Sequence, residues 1–170
     1  MGVTRQMEAH AGIAAFARSI TVETLLGLVF HRPEPNATPM RCFENVWAKV
    51  RRDGGIARYG WTFLYRVVPE IPNARYLSAT HHAVWQPAGS GQLVDVTPFH
   101  TDRRHWPVTE DGDVLFLFDE SAQPVVTEKV IAPRPSRYFA LGSDERLIQH
   151  VEELRRNEEQ ECGEIYGYMA

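Results

Sequence analysis

The stretch that most constrains this chain is Thr80–Pro98. It runs Thr80-His81-His82-Ala83-Val84-Trp85-Gln86, then Pro87-Ala88-Gly89-Ser90-Gly91-Gln92, then Leu93-Val94-Asp95-Val96-Thr97-Pro98. Two short β-prone runs flank a Pro/Gly/Ser turn, which is the signature of a hairpin. An antiparallel pair centred between Ala88 and Gly89 sets residue 82 opposite residue 95. His82 and Asp95 then share a face, with Cβ atoms about 5 Å apart. A slip of one residue would bring His81 there instead, because successive side chains alternate. In either register an imidazole meets a carboxylate, the partner that fixes a tautomer and stabilises an imidazolium. The same pairing also occurs as a plain surface hydrogen bond.

The nucleophile such a pair would serve lies upstream. Pro33, Pro35 and Pro39 exclude regular helix across His31–Met40. From Cys42 the pattern turns helical, with Phe43, Val46, Trp47 and Val50 on one face as far as Arg52. Asp53-Gly54-Gly55 ends the helix. Cys42 therefore opens a buried helix, where free N–H groups and the helix dipole favour a thiolate. A buried, inert thiol is the competing role for such a cysteine.

The rest of the chain supplies a frame. Thr4–Arg18 and Thr21–Phe30 carry apolar residues at helical spacing. Gly60–Val68 is rich in aromatic and β-branched residues and predicts a strand closed by Pro69 and Pro72. Ile71–Ser78 fits no single pattern, and Tyr76 is a candidate start for the strand that carries the histidines. Phe99–Asp113, with His100 and His105, reads as irregular. Val114–Phe118 predicts a buried strand and Val125–Ile131 another. Ser143-Asp144 caps a last helix over Asp144–Glu161, with Leu147, Ile148, Val151 and Leu154 on one face.

These segments fit one domain over residues 1–170. Apolar residues make up 44% and charged residues 24%, as in ordinary globular domains. With a net charge of −4, and with Arg51, Arg52 and Arg103, Arg104 forming short pairs rather than a stripe, no electrostatic footprint for nucleic acid follows. The longest apolar run, Leu25–Phe30, is too short to cross a membrane. Glu8 and His10 precede any apolar run, so no secretory leader is expected. Two cysteines, Cys42 and Cys162, do not make a disulfide scaffold, and a reducing cytoplasm is the expected setting.

Cys42, His82 (or His81) and Asp95 are the parts of an activated cysteine nucleophile. The segment His82-Ala83-Val84-Trp85 followed by Leu93-Val94-Asp95-Val96-Thr97-Pro98 resembles the His and Asp motifs of the transglutaminase-like branch of the papain-like cysteine enzymes. Cys42-Phe43-Glu44 with Asn45 is similar to the nucleophile motif of arylamine N-acetyltransferases. Pro39-Met40-Arg41 stands where those acetyltransferases carry Arg-Gly-Gly, so acetyl-CoA chemistry is not carried over. The resemblance covers about residues 36–98. It implies an α+β fold in which a Cys-bearing helix packs on an antiparallel sheet of four to six strands, with flanking N- and C-terminal helices.

It also implies a Cys42–His82–Asp95 triad, a thioester intermediate, and a protein or peptide amide as substrate, with no cofactor. His82 is the preferred base, since it leaves His-Ala-Val-Trp as the motif. Papain-like enzymes often carry an amide side chain upstream of the Cys, a role Asn36 could fill as an oxyanion donor. Trp61 and Trp85 are candidates to wall a substrate groove, with core packing as their ordinary role. Protease, deamidase, transglutaminase and amidase share this chemistry. Two other classes use the same residues. One is a zinc site drawn from Cys42, His81, His82, Asp95, His100 and His105. The other is a non-catalytic binding module that retains the fold. The oligomeric state is open.

Overall fold

A computed structural model describes residues 2–23, 25–128 and 130–167, with the side chains of 2–10 outside the description. The fold is mixed α+β, with three α-helices among the described residues: α1 (Gly2–Ile20), α2 (Cys42–Asp53) and α3 (Glu145–Tyr166). Nine strands accompany them among the described residues. They are β1 (Leu25–His31), β2 (Ile56–Val67), β3 (Arg75–Gln86), β4 (Val94–Asp95), β5 (Thr109–Glu110), β6 (Asp113–Phe118), β7 (Val125–Val126), β8 (Ile131–Ala132) and β9 (Arg137–Ala140).

The centre is the long β2–β3 hairpin, paired without a break from Ile56↔Gln86 to Val67↔Arg75. Five strands close into a small barrel in the order β1-β4-β3-β2-β6, with β6 returning to β1. Gly60 sits where β2 meets β6, opposite Phe118. A methyl group there would collide with the Leu117 carbonyl and the Phe116 ring, so closure of the barrel depends on a glycine at this crossing. β5 extends the barrel sheet beyond β6, and β9 pairs the N-terminal half of β3.

Side-chain alternation gives the hairpin two distinct faces. The odd-numbered face carries Trp61, Phe63, Leu77 and Ala79 beneath Ile13 and Phe16 of α1. Further along, Ala57, Tyr59, Ala83 and Trp85 lie beneath Phe43 and Val46 of α2. The even-numbered face curls inside the barrel at Val84, which packs on Val29 and Phe116. At its far end that face meets α3, where Tyr76, Tyr138 and Ala140 pack against Leu147 and Val151. Asp144 caps α3 by accepting the Arg146 backbone N–H, and Gly167 ends it in the left-handed conformation.

Several sequence expectations are corrected. Thr21–Phe30 does not form a helix; Leu25–His31 is β1, held by β6 from Leu25↔Phe118 to Val29↔Val114. Val125–Ile131 is not one strand; its ends are β7 and β8, folded back on each other as a separate two-stranded ladder. The main sheet has seven strands and is not purely antiparallel, since β1 and β4 run parallel. β2 begins at Ile56 rather than Gly60, because Ile56–Tyr59 find partners in Ala83–Gln86. The β3–β4 hairpin pairs Trp85 with Val94, two residues away from the symmetric register. A two-residue offset preserves the facing of every side chain, so His82 and Asp95 remain on one side and His81 on the other.

Candidate active site

Asp95 is held from three directions. β4 is clamped between β3 and β1, and the parallel ladder continues past it through Arg32 N–H to Asp95 O and Glu34 N–H to Val96 O. Its carboxylate is 2% exposed. The Thr97 backbone N–H donates to Oδ1 at 2.9 Å, and His82 Nε2 donates to Oδ2 at 3.0 Å. One oxygen is thus fixed by its own turn, which aims the other at the imidazole. The His82–Asp95 contact is diagonal across the hairpin, within reach of a histidine side chain.

Cys42 occupies the first position of α2 and is 7% exposed. Arg41 flanks it without any side-chain cap, and Met40 sits in the left-handed region at φ 66°. The side chain of Asn45, one turn into α2, ties this loop to the Asp95 strand. It accepts from Thr38 N–H at 3.1 Å, donates to Thr38 O at 2.8 Å, and donates to Thr97 Oγ1 at 3.2 Å. His31 adds a second brace, donating Nε2–H to Thr97 O at 3.0 Å while stacking on Phe99 at 3.8 Å.

Cys42, His82 and Asp95 line one cleft of about 680 Å³. Burial pulls the His82 pKa down, but the Asp95 carboxylate and the Cys42 side chain outweigh it and raise the value well above 6.5. The side chain keeps 14% exposure. Nε2 is taken by Asp95, which leaves Nδ1 available, and the Cys42 side chain is a second partner of the ring. The arrangement can hold an imidazolium beside a sulfur and deliver its proton to a leaving group.

His81 points to the opposite side of β3 and is 4% exposed. Its Nδ1 accepts the Arg134 backbone N–H at 2.8 Å, and its Nε2 donates to Ala122 O. Phe43 and Trp61 flank the ring. Burial, reinforced by the Arg134 and His82 charges, lowers its pKa to about 4 against the opposing Ala122 bond and Asp119 charge. Both nitrogens are occupied by backbone groups, so His81 is a structural histidine.

The remaining candidates lie away from the reacting groups. Asn36 is exposed in the loop before α2 and does not line the cleft. Trp61 is 3% exposed, in the α1-facing core, where its Nε1 donates to Asp119 Oδ2 at 3.0 Å. Trp85 donates to Gly54 O and lies under Lys49, outside the cleft. His100 and His105 line the cleft rim and face each other at 4.8 Å. Among the described residues, no group of three or more His, Cys, Asp or Glu side chains could hold a metal ion. No helix among them is long and apolar enough to cross a membrane.

Sequence reasoning missed the bracing roles of Asn45, Thr97 and His31. The spacing of Asn45 one turn after Cys42, and of Thr97 two residues after Asp95, were the readable signals. His31 gave none, because its partner is a distant backbone carbonyl. No family model, curated protein or solved structure matches the chain.

Proposed function

We propose that the protein is a cysteine-dependent hydrolase or acyltransferase of the transglutaminase-like, papain-like kind, acting on an amide. The observation that carries this reading is the buried Asp95 carboxylate. It is fixed by Thr97 N–H and aimed at His82 Nε2, in the cleft that also receives the Cys42 thiol at a helix N-terminus. Surface His–Asp pairs lack this combination of burial, orientation and a neighbouring nucleophile.

In the reaction, Cys42 Sγ attacks the substrate carbonyl, a C–S bond forms, and the carbonyl electron pair moves onto oxygen. The Cys42 backbone N–H, at the uncapped start of α2, stabilises that oxyanion. The C–N bond then breaks as His82 Nδ1–H protonates the departing amine, which leaves a thioester. Water, or an acceptor amine, gives its proton to His82 and attacks the thioester. The C–S bond breaks and the thiolate returns. Asp95 keeps the ring oriented and offsets its positive charge throughout.

The test uses p-nitrophenyl acetate and iodoacetamide as probes. Mass spectrometry of the Cys42 peptide is expected to find an acetyl adduct that then hydrolyses. His82→Ala is expected to slow both acetylation and alkylation at neutral pH by on the order of a hundredfold. Cys162→Ser controls for the second thiol. Alkylation of Cys42 at the same rate with and without His82 would overturn the assignment.

A further inference from the structure

The cleft extends well beyond the reacting groups. Its floor is the even-numbered face of the hairpin, running from His82 through Thr80 and Thr62 to Ser78 and Leu64. At about 3.3 Å per residue, Ser78 lies roughly 13 Å along β3 from His82. Around Ser78 the walls turn apolar and aromatic. Leu64 is its partner on β2 and Tyr138 its partner on β9, with Tyr76 the next residue on the same face and Leu154 of α3 above.

Two polar side chains here, Glu158 and Ser78, are in opposite situations. Glu158 accepts the Tyr138 hydroxyl at 2.6 Å and the Ser136 N–H at 2.9 Å. Ser78 is 4% exposed, and its hydroxyl is a buried side-chain polar atom with no hydrogen-bond partner. An unpaired buried hydroxyl costs stability, and native structures tolerate few of them. Ser78 lines the cleft that also holds Cys42 and His82.

We infer that Ser78 is a specificity residue that receives the far end of the substrate's amine-side arm. The arm it fits is an aromatic ring with a single hydrogen-bonding substituent, seated between Leu64, Tyr76 and Tyr138 and placed roughly 10 Å from the reacting carbonyl. The ring fills the apolar walls, and its substituent supplies the partner Ser78 lacks. The assignment of the reacting end rests on the triad reading; the aryl site itself does not.

The experiment titrates the whole protein with N-acetyltyramine and with N-acetylphenethylamine, which differ only in the ring hydroxyl. N-acetyltyramine is expected to bind about tenfold more tightly, the worth of one buried hydrogen bond. Ser78→Ala is expected to erase that difference without lowering the melting temperature, since the hydroxyl has no partner in the free protein. Equal affinities in wild type, no binding of either compound, or a preference that survives Ser78→Ala each overturn the site. A Ser78-dependent preference in a protein whose Cys42 is inert to iodoacetamide keeps the aryl site and removes the enzyme reading. A reactive, His82-dependent Cys42 without the preference does the reverse.

Discussion

Lowering the pH should weaken this fold through one side chain. His81 is buried and neutral, and its ordinary pKa of 6.5 falls to about 4 in the folded state. Unfolding returns it to water, where it takes up a proton below pH 6.5. The unfolded state therefore binds more protons across this window, and stability that is intact above pH 6.5 is lost as the pH falls toward 4. The full gap is worth about 3 kcal/mol, of which roughly 2 kcal/mol is lost between pH 7 and pH 5. Urea denaturation of wild type and His81→Gln at pH 7, 6 and 5 isolates the contribution, because other titrating groups act on both proteins. The advantage of wild type over the variant is expected to shrink by about 2 kcal/mol over this range. An NMR titration of the His81 ring in the folded protein should place its midpoint near 4. A pH-independent difference, or a midpoint near 6.5, would refute both the burial argument and the exclusion of His81 as the base.

Asn45→Ala removes three hydrogen bonds and cuts the loop before Cys42 from the Asp95 strand. It is expected to cost about 1–3 kcal/mol in urea denaturation. It should also slow Cys42 alkylation and broaden its pH profile; a loss of stability alone would make Asn45 structural. Gly60→Ala forces a methyl into the Leu117 backbone and is expected to cost at least about 3 kcal/mol or abolish folding, read from the melting transition.

Legibility from sequence followed the range of the interaction. The Cys42 helix was readable because Phe43, Val46, Trp47 and Val50 bury together and Gly54 ends it with φ 73°. The His82–Asp95 pair was readable despite the wrong register, because an even-numbered slip leaves faces unchanged. Residues 25–31 misled because apolar side chains occupy both faces. Leu25, Leu28 and Phe30 are exposed and only Val29 is fully buried, so the helical spacing was incidental to β pairing with distant β6. Barrel closure, the parallel β1–β4 pair and the unpaired Ser78 hydroxyl depend on contacts between far-apart segments, and no local pattern encodes them. The exclusion of His81 likewise required Ala122 and Arg134, which nothing near residue 81 announces.

The parallel pairing of β1 with β4 has a consequence for how the protein acquires its chemistry. β4 is two residues long and gains its place only from neighbours on both edges. One neighbour, β1, precedes Cys42 in the chain, and β1 is itself held by β6, which follows Asp95. During synthesis the thiol therefore emerges long before β3, β4 and β6, which complete the setting of Asp95. Such non-local closure is slow compared with helix formation. Under the proposed cysteine mechanism, the triad is assembled only when the barrel closes, so the completed fold is the safeguard against indiscriminate acylation.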